Sequence, residues 1–165
     1  MSRLDSVIRR LEAQRACLDA AAGLLKDLPA EAPVFEVGLG NGRTYDHLRE
    51  LLPGREIFVF EREVRAHPDC VPDEAHLFLG DFLDCLPRAL ERFSGRVALI
   101  HADIGSGDEA ANARLARAIE GFLGALLMPG GILISDQQMS FQGAESLPPP
   151  DGVQADRYHL RRKSS

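Results

Sequence analysis

Four acidic residues of this sequence stand at the ends of apolar runs, where their side chains could recognise a polar ligand. They are Glu61, Asp81, Asp103 and Asp136. An ionised carboxylate can accept hydrogen bonds from a diol or an amino group, and it can take a proton from a reacting group. Any one of them has a simpler explanation, since Asp81, like Asp108 further along, could be only a helix N-cap. Together they predict one ligand site, because ligands of open α/β sheets bind outside the carboxyl ends of the strands.

A second chemical feature is the stretch EVGLGNGRTYDHL, residues 36–48, in which glycines alternate between an apolar run and a helical pattern. Glycine costs more backbone entropy to order than any other residue, so Gly38, Gly40 and Gly42 indicate that side chains would obstruct something there. The helix that follows would present free N–H groups to an anionic part of a ligand. Glu36, just before the glycines, would balance a cationic group or hold the loop by accepting its N–H bonds. The stretch predicts a ligand-binding loop.

The elements that must position these residues alternate between strands and helices. The predicted strands are residues 33–37, 56–60, 76–80, 96–102 and 131–135, and the predicted helices are residues 2–26, 44–52, 82–93 and 108–128. The strands are continuous apolar runs, as expected for strands that are buried on both faces. Alternation of strand and helix implies crossover connections and helices on both sides of a parallel sheet. The predicted fold class is α/β, a doubly wound, mostly parallel sheet with an added N-terminal helix.

The two ends of the chain lie outside this alternation. Leucines recur every seven residues in the first helix, at Leu4, Leu11, Leu18 and Leu25. This spacing favours an amphipathic helix packed on its own domain or on a neighbouring subunit, with a coiled coil as the alternative. After residue 135 come a proline run and a basic tail at residues 157–163, which we expect to be a solvated terminus. A last strand near residues 155–162 is the alternative.

Length and charge limit the class of protein. A chain of 165 residues fits a single domain, which we divide into an N-terminal helix at 1–28, a core at 33–137 and a loop and tail at 138–165. The net charge of −6 argues against a nucleic-acid partner, whose phosphates a binding protein must neutralise. The three cysteines match neither a disulfide framework nor a zinc site, and no export or membrane segment is apparent. We therefore expect a cytoplasmic protein that contacts neither nucleic acid nor membrane.

The order of these motifs resembles the class I S-adenosylmethionine-dependent methyltransferases, which have a Rossmann-like fold. The resemblance rests on the glycine loop, an acid about twenty residues later, Gly80-Asp81-Phe82, Ala102-Asp103-Ile104-Gly105, and the Met-Pro-Gly-Gly stretch at 128–131. It implies S-adenosyl-L-methionine as cofactor. The implied cofactor-binding residues are Glu36, Gly38, Gly40, Asn41, Gly42, Glu61, Arg62, Gly80, Asp81, Phe82 and Asp103. One departure is Arg62, since the residue after the ribose-binding acid is often apolar in the family.

The resemblance also implies roles for these residues. Gly38 and Gly40 would let the backbone approach the methionyl part of the cofactor, and Glu61 would accept hydrogen bonds from both ribose hydroxyls. Asp81 would accept from the adenine amino group while Phe82 covers the ring face. An ordinary core aromatic on the next helix is the alternative for Phe82.

The candidate catalytic residues are Asp103, His101 and Asp136, which lie at the predicted ends of the fourth and fifth strands. A base is needed only if the methyl acceptor arrives protonated. His101 could instead be a hydrogen-bonded core histidine. We expect no metal, but Asp103, Asp136 and Gln137 resemble the magnesium ligands of the catechol-type O-methyltransferases and form an alternative site.

The predicted function is methyl transfer from S-adenosyl-L-methionine to a small-molecule acceptor, by a chain that forms a homo-oligomer. The N-terminal helix, the 136–151 loop and a neighbouring subunit would build the acceptor pocket. One alternative is a non-catalytic protein that binds the same cofactor or forms an oligomeric scaffold. Another is a nicotinamide-dinucleotide-dependent oxidoreductase, against which Arg43 occupies the third glycine position of the dinucleotide motif.

Overall fold

A seven-stranded sheet forms the centre of the molecule, whose structure, a computed structural model, describes residues 2–165. The strands are β1 Val34–Val37, β2 Ile57–Glu61, β3 Leu77–Leu79, β4 Val97–Ala102, β5 Leu127–Ser135, β6 Ala144–Leu147 and β7 His159–Lys163. The α-helices are α1 Arg3–Leu24, α2 Arg43–Leu51, α3 Phe82–Phe93 and α4 Glu109–Leu126. Short 3-10 helices cover Leu25–Asp27, Pro68–Cys70 and Glu74–His76.

The strand order is β3-β2-β1-β4-β5-β7-β6. The first five strands pair in parallel, and β7 pairs antiparallel with both β5 and β6. The carboxyl ends of the five parallel strands therefore meet at one edge. The order reverses between β1 and β4, which places the glycine loop after β1 beside the residues after β4, where ligands of such sheets bind.

Two hydrophobic cores cover the two faces of the sheet. Helices α1 and α2 pack on one face, and α3 and α4 pack on the other. Successive residues of β1 alternate between them, with Val34 in the first core and Phe35 in the second. This explains why the central strands are apolar apart from the buried Glu36 and His101, and it confirms the predicted doubly wound arrangement.

The prediction of a solvated basic tail is wrong. Residues of that tail form β7, which lies inside the sheet rather than at its edge. The ammonium group of Lys163 donates to the carbonyl oxygens of Gly124 and Leu127, both at 2.8 Å, and Arg161 donates to the Ser146 hydroxyl at 2.7 Å. The basic side chains are therefore bound to the end of α4 and to β6.

Helix α1 divides into two parts. Its C-terminal half packs on the sheet, where Leu18 and the following Leu25 are each 1% exposed. Its first turns carry apolar side chains that face solvent, since Leu4, Val7 and Ile8 are 68%, 45% and 44% exposed. The leucines of the seven-residue repeat therefore contact the core only at the C-terminal end of α1. In residues 2–165 none of the helices combines the length and apolar character that a membrane crossing needs.

Candidate functional site

The three glycines of the loop after β1 all have positive φ angles, of 93° at Gly38, 52° at Gly40 and 85° at Gly42. A Cβ atom at Gly38 would overlap the backbone carbonyl oxygen of Asp103, and one at Gly42 would lie 2.5 Å from the Cβ of Cys70. A Cβ at Gly40 would meet no atom within 4 Å. Two glycines are therefore required by packing, whereas Gly40 faces open space in front of the sheet.

Glu61 holds this loop from the end of β2. Its Oε2 atom accepts hydrogen bonds from the backbone N–H groups of Leu39 at 2.8 Å and Gly40 at 3.0 Å, and its Oε1 accepts from the N–H of Arg62 at 2.7 Å. A carboxylate has about four lone-pair sites. Most of the acceptor capacity of Glu61 is already used within the protein.

Glu36 lies below the loop rather than in it. Its side chain is completely buried, accepts a hydrogen bond from the hydroxyl of Thr44, and lies 2.8 Å from Nδ1 of His101. Because an ionised carboxylate can only accept, the Nδ1–H of His101 is the donor. Glu36 therefore links the start of α2 to β4, whereas the loop N–H groups that it was expected to bind donate to Glu61.

His101 is also completely buried, and its Nε2 atom has no hydrogen-bond partner among residues 2–165. Burial lowers the pKa of His101, but the charge of Glu36 and the hydrogen bond to it raise the pKa by more, so the net shift is upward. Its ring stacks on that of Tyr158, with 6.1 Å between centroids. This burial corrects the view of His101 as a group that touches a ligand in this conformation. It is placed instead to position Glu36 and Tyr158.

A cleft of about 670 Å³ opens at the carboxyl ends of β4 and β5. We call it the β4–β5 cleft and define it by its floor residues Asp103, Asp136, Gln137 and Tyr158. Oδ2 of Asp103 accepts a hydrogen bond of 2.6 Å from the amide of Gln14 on α1. Helix α1 and the ends of these two strands therefore meet at the cleft, which Arg10 of α1 also lines. Of the 136–151 loop expected to build the acceptor pocket, Asp136 and Gln137 line the cleft.

Asp136 is the more enclosed of the two floor acids. Its Oδ1 accepts from the backbone N–H of Ile104 at 3.1 Å, and its Oδ2 accepts from the Gln137 amide at 3.0 Å. Burial raises the pKa of the Asp136 carboxyl, and the nearby charge of Asp103 adds to the rise. A raised pKa makes this carboxylate a stronger proton acceptor than an exposed aspartate.

The third predicted part of the site lies at the end of β3. Asp81 caps α3 by accepting from the N–H of Leu83 at 2.9 Å, and its other oxygen accepts from Arg62 at 3.0 Å. The N-cap expected from the sequence is thus present. Arg62 binds Asp81, the acid that the resemblance assigned to adenine. Phe82 is partly buried and packs against the second core, while Gly80, with φ of 142°, turns the chain between β3 and α3.

Several residues at the site have no counterpart in the sequence prediction. They are Gln14, Thr44 and Tyr158. Gln14 is 5% exposed, and a polar residue in the apolar pattern of α1 is the signal that could have identified it. Tyr158 gave no such signal, because its position depends on β7. Asn41 remains on the loop surface, where its Oδ1 accepts from the N–H of Arg43 at 3.2 Å.

Residues 2–165 contain no group of three or more histidine, cysteine, aspartate or glutamate side chains arranged to hold a metal ion. The alternative magnesium site joins Asp103 and Asp136 to Gln137. In this structure the amide nitrogen of Gln137, not its oxygen, faces Asp136. The magnesium alternative would therefore require that amide to rotate.

Comparison with known proteins gives the family. The family model described as S-adenosyl-L-methionine methyltransferase matches residues 1–163. The crystal structure of an S-adenosyl-L-methionine methyl transferase from Silicibacter pomeroyi DSS-3 is 46% identical, covers 99% of each chain and superposes with a TM-score of 0.93. No match to this chain is found among curated proteins.

More distant structures share only the fold. A release-factor-specific protein-(glutamine-N5) methyltransferase from Alicyclobacillus acidocaldarius is 15% identical over 93% of each chain, with a TM-score of 0.60. The antibiotic-resistance methyltransferase Kmr is 16% identical over 92% of this chain and 93% of its own, with a TM-score of 0.53. With a family match over almost the whole sequence and a close relative of equal length, this chain belongs to the S-adenosyl-L-methionine methyltransferase family.

Proposed function

We propose that this methyltransferase transfers the methyl group of S-adenosyl-L-methionine to a small-molecule acceptor that binds in the β4–β5 cleft. The observation that carries the proposal is the position of Asp103. Its backbone carbonyl packs against Gly38 of the glycine loop, and its carboxylate lines the cleft. One residue thus joins the region suited to the cofactor to the region suited to an acceptor. A volume of about 670 Å³ suits a small molecule.

The residues in front of β1, β2 and β3 fit the cofactor. The open space at Gly40 leaves room for the methionyl part beside the N-terminus of α2. Glu61 would accept hydrogen bonds from the ribose hydroxyls, and Asp81 with Phe82 would contact adenine. Gly42, Asn41, Gly80 and Arg62 shape this groove. Because Glu61 already accepts from the loop, a bound diol would share or replace one of those N–H contacts, and we expect the loop to adjust on binding.

The cofactor supplies a methyl group that is already activated by the positive charge of its sulfur. The chain's own residues therefore have to orient the acceptor, exclude water and remove a proton where the acceptor carries one. Asp103 and Asp136 are the carboxylates at the floor of the cleft that can touch an acceptor. Gln14 fixes the Asp103 carboxylate, and His101 acts as a positioning residue behind Tyr158.

A turnover assay with a matched pair of variants tests this function. Purified protein is incubated with S-adenosyl-L-methionine and pooled small metabolites, and S-adenosylhomocysteine is measured. We expect turnover that Asp103→Asn reduces by at least about tenfold. Asp108→Asn is the control, because the new asparagine can still cap α4. Turnover that both variants retain equally, or product found only on macromolecules, would contradict the proposal.

We also propose that the chain is a cytoplasmic homo-oligomer that contacts neither nucleic acid nor membrane. The exposed apolar turns of α1 are the support for a second copy. Cys17, Cys70 and Cys85 are free thiols, as is usual in a reducing compartment.

A further inference from the structure

The β4–β5 cleft is lined by more acidic than basic groups. Its carboxylates belong to Asp103, Glu109, Asp136 and Asp156, and its guanidinium groups belong to Arg10 and Arg157. Four carboxylates against two guanidinium groups leave a formal charge of −2. Within residues 2–165, none of the six forms an ion pair at 4.0 Å or less with another. The negative charge of the cleft is therefore available to a ligand.

This charge is distributed by depth. Asp103 and Asp136 are partly buried at the floor, whereas Arg10, Glu109 and Asp156 are exposed at the rim. Charges that are partly shielded from water act more strongly on a ligand than charges at an open rim. The floor therefore favours a cationic group, and the mixed rim has little preference.

Tyr158 adds an independent sign of a ligand at the floor. Its side chain lines the cleft, the residue is only 2% exposed, and no partner among residues 2–165 meets the distance and angle of a hydrogen bond to its hydroxyl. Burial raises the pKa of Tyr158, and the nearby Gln14 amide, which donates to Asp103, lowers it in part. A buried hydroxyl without a partner costs free energy, which a ligand with an N–H group or a lone pair would recover. The hydroxyl is buried close to the two floor carboxylates, whose charges add to the rise in its pKa caused by burial.

The lining also excludes one class of acceptor. Apart from Tyr158, the residues around the cleft are charged, amide-bearing, hydroxylic or glycine, with no aliphatic side chain among them. An apolar aromatic acceptor would find no surface to pack against. The cleft thus suits a polar molecule that is small enough to reach the floor.

We propose that the acceptor is a small polar amine and that its basic nitrogen receives the methyl group. This inference rests on the proposed function, since it names the substrate class of the same site. The floor carboxylates bind the ammonium form, and the Tyr158 hydroxyl accepts one of its N–H bonds. Arg10 and Arg157 at the entrance can bind an anionic group at the other end of the acceptor, such as the carboxylate of an amino acid.

The reaction then balances without a further reactant. The ammonium group gives a proton to the Asp136 carboxylate, which leaves a lone pair on nitrogen. That lone pair forms the bond to the methyl carbon while the carbon–sulfur bond breaks and its electron pair stays on sulfur. The proton leaves to water through the rim. An alcohol would need a far stronger base than a carboxylate, and an alkoxide would be repelled by this floor.

Matched acceptor sets test the inference. One set contains small aliphatic amines and amino acids, and the other contains the same molecules with a hydroxyl group in place of the amino group. Each set is titrated calorimetrically into protein saturated with S-adenosylhomocysteine, and each is incubated with S-adenosyl-L-methionine carrying a labelled methyl group, followed by mass spectrometry. We expect binding and labelled product from members of the amine set alone.

Variants connect this result to the floor. Asp103→Asn, Asp136→Asn and Tyr158→Phe should each weaken amine binding, the two aspartate variants by at least about tenfold, since each loses a charge-assisted contact. Asp108→Asn, outside the cleft, should leave it unchanged. If both aspartate variants bind the amines with the affinity of the wild-type protein, the inference is overturned.

The two proposals fail in different ways. Labelled product from the hydroxyl set would overturn the amine assignment and leave the proposed function standing. No labelled product from either set, with cofactor binding intact, would overturn the amine assignment, and the proposed function fails only if the pooled metabolites also give no S-adenosylhomocysteine.

Discussion

At the scale of single residues, a substitution at Gly40 distinguishes a glycine needed for folding from a glycine needed for cofactor binding. Gly40 and Gly95 both have positive φ, 52° and 65°, and neither has an atom within 4 Å of an added Cβ. Gly95 lies before β4, at the opposite edge of the sheet from the site. We expect Gly40→Ala and Gly95→Ala to lower the free energy of unfolding by a similar amount, about 1–2 kcal/mol.

Only Gly40→Ala should weaken binding of S-adenosyl-L-methionine, because only there would the methyl group enter the cofactor groove. Urea unfolding and calorimetric titration of the two variants check this prediction. Equal cofactor affinity in both variants would show that the space at Gly40 is not used by the cofactor. Gly38→Ala is unsuitable as a test, since its Cβ would overlap Asp103 and disturb the fold itself.

A pH dependence follows from the buried His101–Glu36 pair. The pKa of His101 is raised in the folded state, so its protonated form stabilises the fold below the ordinary histidine pKa, and this contribution is lost as pH rises through the folded-state pKa. His101→Asn keeps a donor to Glu36 but cannot titrate. We expect the wild-type protein to lose stability relative to His101→Asn as pH rises above about 6.5, by at most about 1.4 kcal/mol per pH unit.

Urea unfolding curves measured between pH 5.5 and pH 8.5 test this expectation. Asp103 and Asp136 also face His101 and are present in both proteins. The effect of their own titration therefore largely cancels in the stability difference between the two proteins. A stability difference that does not change with pH would mean that His101 stays neutral throughout.

Residue identity allowed part of the site to be predicted. The strand-end acids were found because parallel strands bring their carboxyl ends together, and the glycine loop was found because alternating glycines are costly without a purpose. Gln14 was missed, since a polar residue within a helical pattern does not reveal which partner it meets 89 positions away. A core position for His101 and a last strand near residues 155–162 were both among the alternatives, but the stacking of His101 on Tyr158 could not be predicted, because it depends on how that strand pairs.

At the scale of elements, β7 is held by contacts that the sequence does not display. Its partner β6 has the sequence AESL, which has little intrinsic preference for a strand, and β7 itself is HLRRK. Pairing with β5 decides the conformation of both, and pairing between distant segments cannot be read from local pattern. The five parallel strands were predictable because each contains a run of apolar residues, although β5 begins at Leu127, within the predicted fourth helix.

Lys163 provides a test of this attachment. Its ammonium group donates to two carbonyl oxygens at the C-terminal end of α4, where positive charge is favourable. We expect Lys163→Met to lower the free energy of unfolding by about 1.5–3 kcal/mol. Arg162→Met is the control, because successive side chains of a strand point to opposite faces. Equal stability of the two variants in urea unfolding would contradict the attachment.

At the scale of the whole molecule, the family assignment decides between the alternatives left open by the sequence. Membership of the S-adenosyl-L-methionine methyltransferase family makes the nicotinamide-dinucleotide oxidoreductase wrong. The fold and the cofactor were predictable because they depend on the order of motifs along the chain. The acceptor was not, because its cleft draws residues from α1, the strand ends and the segment before β7.

The exposed start of α1 leads to a prediction about assembly. Leu4 and Ile8 lie one turn apart on the same helical face and are both largely exposed. We expect the double variant Leu4→Gln, Ile8→Gln to shift the protein from a dimer or higher oligomer to a monomer in analytical ultracentrifugation, because the apolar contact is lost. Leu24→Gln, on the same helix at 37% exposure, should leave the assembly unchanged. A wild-type monomer at all concentrations would contradict the homo-oligomer.

The placement of β7 between β5 and β6 has a consequence for how this protein can diversify. Apart from Asp103, the residues proposed to bind the cofactor lie within 36–82, whereas several cleft residues belong to the connection at 148–158, which is anchored at both ends by paired strands. Insertions or exchanges in that connection can reshape the entrance of the cleft without disturbing a single contact of the glycine loop. On the proposed function, acceptor preference and cofactor use are therefore separable traits of one chain, and descendants of this sequence could acquire new substrates by altering only its last quarter.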